Sequence, residues 1–234
     1  MVSATAVIVT AHNEADRLPA TLGALAAAFP DARIVVADDG SGDDSAAVAA
    51  AHGAEVVRSE RNIGKGGAAT LAAQRLLPLA AQAPDAVILL CDGDLAASAE
   101  ALKALVEAVR GGGADLAVAA FARRVGGGFG LALGFARWAI RRRCGFEADA
   151  PISGQRALRA AVLPAVVPFA PRFGMEIGMT IDAVRAGFRV IEVELPLAHR
   201  ATGRTVRGFL HRGRQLSDFV AVYRARRSAS FKRL

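Results

Sequence analysis

AVILLCDGD, residues 86–94, decides how the chain is read. Its five leading apolar residues are too short a run for a helix and predict a strand buried on both faces. Asp92 and Asp94 stand one residue apart at its end. In sheets built from such strands, ligands bind beyond the strands' carboxyl ends, so the two acids fall where a site belongs.

Further strands are predicted at AVIVT (6–10), RIVVA (33–37), EVVR (55–58), DLAVAA (115–120) and RVIEVEL (189–195). Alanine- and leucine-rich segments of helical period lie between them, the pattern of βαβ units around a mainly parallel, Rossmann-like sheet flanked by helices. A polar cluster follows each of the first four strands: AHNE (11–14), DDGSGDD (38–44), SERNIGKGGA (59–68) and CDGD (91–94). One such cluster would be an ordinary turn or helix cap. Four on one edge of one sheet point to a site.

The chain has 234 residues, is 53% hydrophobic and contains 24 glycines, which suits one α/β domain with a sizeable core. Residues 1–200 are expected to form that domain, with a nucleotide-binding part to about 122 and an acceptor part from about 123 to 200. No apolar run reaches the roughly 20 residues of a membrane span, and the start lacks a secretory signal, so a cytoplasmic location is expected. Cys91 and Cys144 have neither disulfide nor zinc-site spacing.

The net charge of +7 is concentrated at the C-terminal end. Residues 201–234 carry nine Arg or Lys against the single acid Asp218. A basic tail attracts anionic lipid headgroups or phosphorylated substrates. Its aromatics are few and no nucleic-acid motif is present, which argues against nucleic acid as the partner. Residues 123–146, RRVGGGFGLALGFARWAIRRRCGF, set Leu131, Phe135 and Trp138 at helical spacing ahead of Arg141, Arg142 and Arg143. Such a helix suits either a membrane interface or a core position with arginines at its C-terminal end.

NIGKGGA, residues 62–68, opens a helix with glycines and Lys65; exposed amides beside an ammonium suit a diphosphate. It is neither a P-loop nor a dinucleotide fingerprint. The carboxylates of DGD suit a hard cation, Mg²⁺ or Mn²⁺, completed by phosphates and water.

Taken in order and spacing, AHNE, DDGSGDD, NIGKGGA and CDGD resemble the family 2 nucleotide-sugar glycosyltransferases with the A-type fold. Within them the chain is similar to the polyprenyl-phosphate branch, the dolichyl-phosphate mannose synthase-like enzymes. The resemblance implies a nucleotide-sugar donor, a UDP-sugar in preference to a GDP-sugar, with Glu14 and Asp39 on the nucleoside and Asp38 supporting it. Lys65 would face the diphosphate, and Asp92 and Asp94 would hold the metal. A glutamine that assists the metal in that branch is here Ala96, so the third ligand is expected from water or from His199. Arg200, in an R-x-x-G pattern with Gly203, would approach the diphosphate or the acceptor phosphate, and Arg123 would face the acceptor.

PISGQRALR, residues 151–159, resembles the branch's acceptor loop, with Ser153, Gln155 and Arg156 as acceptor contacts and Gln155 in place of an aromatic. That loop and FGMEIGMTID (173–182) also resemble the glucosyl-3-phosphoglycerate synthases. Two acceptors therefore stay open. A polyprenyl phosphate, met at the inner membrane face, attacks without an enzymic base, whereas a sugar hydroxyl or small acid would use Asp149 or Glu176 as base.

Overall fold

The computed structural model describes residues 4–121, 130–196 and 206–227. The first half alternates strand and helix: β1 (Thr5–Ala11), α1 (Leu18–Ala28), β2 (Arg33–Asp38), α2 (Ser45–Ala51), β3 (Glu55–Arg58), α3 (Lys65–Gln74), α4 (Leu77–Gln82), β4 (Val87–Asp92) and α5 (Lys103–Arg110). Then come β5 (Leu116–Phe121), α6 (Gly130–Cys144), β6 (Arg156–Arg159), α7 (Leu163–Val166), α8 (Met175–Arg185), β7 (Val190–Leu195) and α9 (Val206–Ala225). The strands form one sheet in the order β3-β2-β1-β4-β6-β5-β7. All pairings are parallel except those of β6, which runs antiparallel to both β4 and β5.

Alternation along the buried strands divides the core between two faces. Ile8, Ile88 and Leu90 pack on one face, and Val7, Val9, Leu89 and Cys91 on the other, as a period of two requires. Parallel register then fixes the site edge. Ala11 pairs with Asp38 and Thr10 with Asp92, so the polar ends of β1, β2 and β4 fall side by side. All six strands expected from the sequence are present.

Two elements differ from expectation. RALR was expected in a loop but forms β6, which fills the slot between β4 and β5. Four residues without an alternating pattern carry no strand signal of their own; the open ladder groups of β4 and β5 supply it. Part of the expected basic tail is instead α9, which packs on α6 and α8. Phe219 and Val222 of α9 join Ile177 and Ile181 of α8 and Ala136 and Ile140 of α6 in a third apolar cluster. Among the described residues, no helix is long and apolar enough to cross a membrane.

Gly64 and Gly66 turn the chain into α3. Gly64 has φ +88°, a conformation costly for any residue with a Cβ. A Cβ on Gly66 would lie 1.9 Å from the Ala170 carbonyl oxygen. Gly66→Ala must push two backbones apart, and destabilisation of about 1–3 kcal/mol is expected, read as a fall of roughly 3–10 °C in Tm. An unchanged Tm would show that α3 and the 170–172 segment are not in contact.

Candidate active site

Lys65 stands at the first turn of α3, where Gly64 aims it across the ends of β1 and β4. Its ammonium lies 2.6 Å from Asp92 Oδ1 and 2.9 Å from Glu176 Oε1. Glu176 opens α8 and is 6% exposed. Asp92 also accepts the Thr10 hydroxyl at 3.1 Å on Oδ1 and the Gln155 amide at 2.9 Å on Oδ2. Gly154 completes the seat, since a Cβ there would meet Lys65 Nζ at 2.4 Å and Asp92 Oδ2 at 2.8 Å.

Burial opposes ionisation of both partners, yet their mutual attraction prevails. Desolvation works to raise the Asp92 carboxyl, but the Lys65 charge and the hydrogen bonds from Lys65, Thr10 and Gln155 hold it below the ordinary carboxylate value. Desolvation likewise works to lower Lys65, and the carboxylates of Asp92 and Glu176 drive it above the usual lysine value. Both groups are charged at neutral pH.

The two acids of DGD thus face different surroundings. Sharing one cation would require both carboxylates to turn to the same side, but Asp92 is engaged by three protein donors, one of them cationic. Asp94 is exposed. Near it, Glu14 pairs with Arg17 at 3.0 Å, and burial, then the charge of Asp94, raises the Glu14 carboxyl above its ordinary value. A hard cation bound by one carboxylate, phosphates and water fits Asp94, where it would relieve repulsion from Glu14. Among the described residues no three His, Cys, Asp or Glu side chains cluster as a ready-made metal site.

Asp38 and Asp39 are both turned inward. Asp38 is fully buried, accepts the Ser41 amide at 3.0 Å and the Ser41 hydroxyl, and lies 3.3 Å from Arg58. Asp39 accepts the amides of Ile63 at 2.7 Å and Gly64 at 2.9 Å and is 5% exposed. Asp39, expected on the nucleoside, has its carboxylate engaged here by two loop amides that would otherwise lack an acceptor.

Lys65, Asp92 and Glu176 line a cavity of about 180 Å³, walled also by Ser153, Gln155, Ile152, Phe173 and Phe219. It is smaller than the ~300–1,000 Å³ of a drug-sized ligand pocket and suits one phosphate- or sugar-sized group. Ser153 and Gln155 line it. Arg156 does not: its guanidinium donates to the carbonyl of Ser153 and the hydroxyl of Thr180 and is 1% exposed. Burial pushes its pKa down to about 10. As a correction, Arg156 shapes the loop from within and does not face an acceptor. Asp149 lies away from the cavity lining, with Arg137 beside it at 3.9 Å. Arg123, His199 and Arg200 lie outside the described residues.

Thr10, Gly154, Phe173 and Phe219 were missed in the sequence. For Thr10 the signal was available, as the last polar side chain of β1 opposite Asp92 in a parallel pair. Phe219 belongs to a helix that closes on the cavity from the far end of the chain, and nothing local marks it.

Residues 6–153 match the family model Glycosyl transferase family 2. The chain belongs to glycosyltransferase family 2. It is 31% identical over 214 residues to the undecaprenyl-phosphate mannosyltransferase of Micrococcus luteus, covering 85% of each chain. It is likewise 31% identical over 209 residues to an uncharacterized glycosyltransferase of Mycobacterium tuberculosis, across 86% of this chain and 88% of that one. The fold is similar to glucosyl-3-phosphoglycerate synthase of M. tuberculosis, with a TM-score of 0.73, 26% identity and coverage of 99% and 83% of the two chains. It is also similar to that enzyme with Mn²⁺, UDP-glucose and phosphoglyceric acid, with a TM-score of 0.72, 25% identity and coverage of 99% and 82%. The A-type architecture and nucleotide-sugar glycosyltransferase activity expected from the four polar clusters are therefore those of this family.

Lys65→Met leaves two carboxylates facing each other without a cation. The Lys65 and Asp92 side chains are 23% and 32% exposed, so a loss of about 2 kcal/mol is expected, between the values for exposed and fully buried pairs. The depressed Asp92 carboxyl stabilises the fold above its unfolded pKa, and this is lost as pH falls through the folded value. The raised Lys65 ammonium stabilises it below its unfolded pKa, and this is lost as pH rises through the folded value. Urea melts of both proteins should show a stability gap widest between about pH 5 and 10, narrowing at each end. A gap independent of pH would contradict the pairing.

Proposed function

We propose that the chain transfers a sugar from a UDP-sugar to a polyprenyl phosphate, as a metal-dependent enzyme in peripheral contact with an anionic membrane at its cytoplasmic face. The observation carrying this reading is the mixed polar and apolar lining of the cavity beside Lys65. Lys65 reaches the Asp92 end of β4, two residues from exposed Asp94, and Lys65 and Asp92 also line a small cavity whose wall mixes polar Ser153, Gln155 and Gln215 with apolar Ile152, Phe173 and Phe219. Such a cavity suits a phosphate carrying an apolar chain. The likeness to an undecaprenyl-phosphate mannosyltransferase supports the same acceptor.

The chemistry follows from charge. An acceptor phosphate oxygen, already anionic, attacks the anomeric carbon; the bond from that carbon to the β-phosphate oxygen breaks; and the nucleoside diphosphate leaves with the electron pair. An ammonium has three donor hydrogens. Asp92 and Glu176 take two, and Lys65 offers the third to the departing diphosphate, stabilising charge as it develops. Mg²⁺ or Mn²⁺, held by Asp94 and by donor phosphates, would supply Lewis-acid neutralisation of the same leaving group. Asp92 thereby acts on Lys65, not on the cation. Glu176, tied to Lys65, anchors that ammonium and need not abstract a proton. Glu14 is the carboxylate proposed at the nucleoside side. His199 as a further metal ligand, with Arg123 and Arg200 at the phosphates, completes the reading from the family pattern.

A second acceptor, a soluble phosphorylated acid, is favoured by the likeness to glucosyl-3-phosphoglycerate synthase bound to phosphoglyceric acid. Release of UDP from a panel of UDP-sugars separates the two. With Mn²⁺, polyprenyl phosphate in detergent micelles is expected to support turnover and 3-phosphoglycerate is not; the reverse would establish the second acceptor. Asp94→Ala should lower turnover at least about 10²-fold, the scale of losing a principal transition-state charge contact. Undiminished turnover of that variant in chelator would refute the metal role.

A further inference from the structure

The outer face of α6 is unlike the rest of the described surface. Leu131 is 87% exposed and Trp138 48% exposed, and both lie on this one helix. Exposed positions Leu131, Gly134, Trp138, Arg141 and Arg142 recur at intervals of three or four, which puts them on a single stripe. Ala132, Ala136, Ala139, Ile140 and Cys144 are buried on the opposite side. The stripe is thus apolar over its first two turns and cationic at its end.

The apolar part is fixed in place by α9. Trp138 packs against Tyr223 with ring centroids 4.8 Å apart and against Phe135 at 5.4 Å. The Arg143 guanidinium lies 3.6 Å from the centre of the Tyr223 ring, a cation–π contact that orders the cluster. Exposed Arg224 in α9 and Arg227 just past its end add positive charge, and the sequence beyond adds Lys232 and Arg233. Behind the stripe, the cluster beneath α6 includes Phe219, Phe173 and Ile152, which also wall the cavity. The same apolar cluster thus backs α6 and borders the cavity.

We propose that the Leu131–Trp138 stripe with its surrounding arginines is a docking surface for an anionic lipid bilayer. The inference rests on the polyprenyl-phosphate reading, which supplies a reason for the enzyme to sit on a membrane. The chemistry specifies the occupant: Leu131 enters the acyl boundary, the Trp138 indole rests at headgroup level, and Arg141, Arg142, Arg224 and Arg227 meet lipid phosphates, as in helices lying in the interface plane. An apolar protein partner would leave that cationic rim unmatched.

Trp138 is the only tryptophan in the chain, so intrinsic fluorescence reports on this surface alone. With the full chain, vesicles of phosphatidylglycerol and phosphatidylcholine are expected to shift emission to the blue and to carry the protein upward in flotation, and vesicles of phosphatidylcholine alone are not. Leu131→Glu, at an exposed position, should weaken flotation at least about tenfold through the lost apolar contact and the repelled anion, while UDP release with micellar polyprenyl phosphate stays unchanged. Flotation undiminished in Leu131→Glu would overturn the proposal, as would absence of binding to any anionic vesicle. Self-association that buries Trp138 without lipid and is lost in Leu131→Glu would also overturn it, assigning the face to a second copy. Vesicle binding without glycosylation of micellar polyprenyl phosphate would instead overturn the acceptor reading and leave the docking surface standing.

Discussion

The Lys65 ammonium, held between the carboxylates of Asp92 and Glu176, is the interaction on which the site depends. Its three charges come from the first turn of α3, the end of β4 and the first turn of α8. No two are neighbours in sequence, and two of the three are carboxylates that would repel if brought together without the lysine. Closing the sheet edge against α8 therefore requires the cation. A buried pair is not favourable by itself, because desolvation offsets much of its attraction. Here Thr10 and Gln155 supply the extra hydrogen bonds to Asp92 that make burial tolerable.

The same arrangement gives the two acids of DGD separate tasks. Asp92 orients a cation that belongs to the protein, and Asp94 faces outward where a cation delivered with the donor would bind. A diphosphate approaching this edge would meet positive charge from both, one part preorganised and one part exchangeable. Preorganised charge is effective because it needs no reorganisation as the leaving group develops its own. Gln155 links this centre to the cavity: it lines the cavity and bonds to Asp92, so this position is in contact with the seat of the Lys65 ammonium.

Much of this was legible in the sequence, for identifiable reasons. AVIVT, RIVVA and AVILL are short and apolar, and polar turns follow them at once, so strand identity and the common edge could be read from pattern alone. The pattern singles out Lys65, Asp92 and Glu176, which the fold brings into contact. It did not distinguish Asp92 from Asp94, because a spacing of two says nothing about which carboxylate meets a lysine from another helix. Nor did it find Asp39 or Arg156 turned inward, since the demand for each lies in backbone amides and carbonyls elsewhere in the fold. Strand β6 and helix α9 escaped for a related reason. RALR becomes a strand only between β4 and β5, and α9 is ordered by Phe219 and Val222 packing against residues from α6 and α8.

The central claim is that Asp92 seats Lys65 while Asp94 faces the donor's cation. A crystal structure of the protein with UDP and Mn²⁺ tests it most directly. Mn²⁺ is expected on Asp94 and diphosphate oxygens, with the Lys65 ammonium still between Asp92 and Glu176 and within hydrogen-bond reach of the diphosphate. Mn²⁺ bridging Asp92 and Asp94, with Lys65 displaced from Asp92, would contradict it.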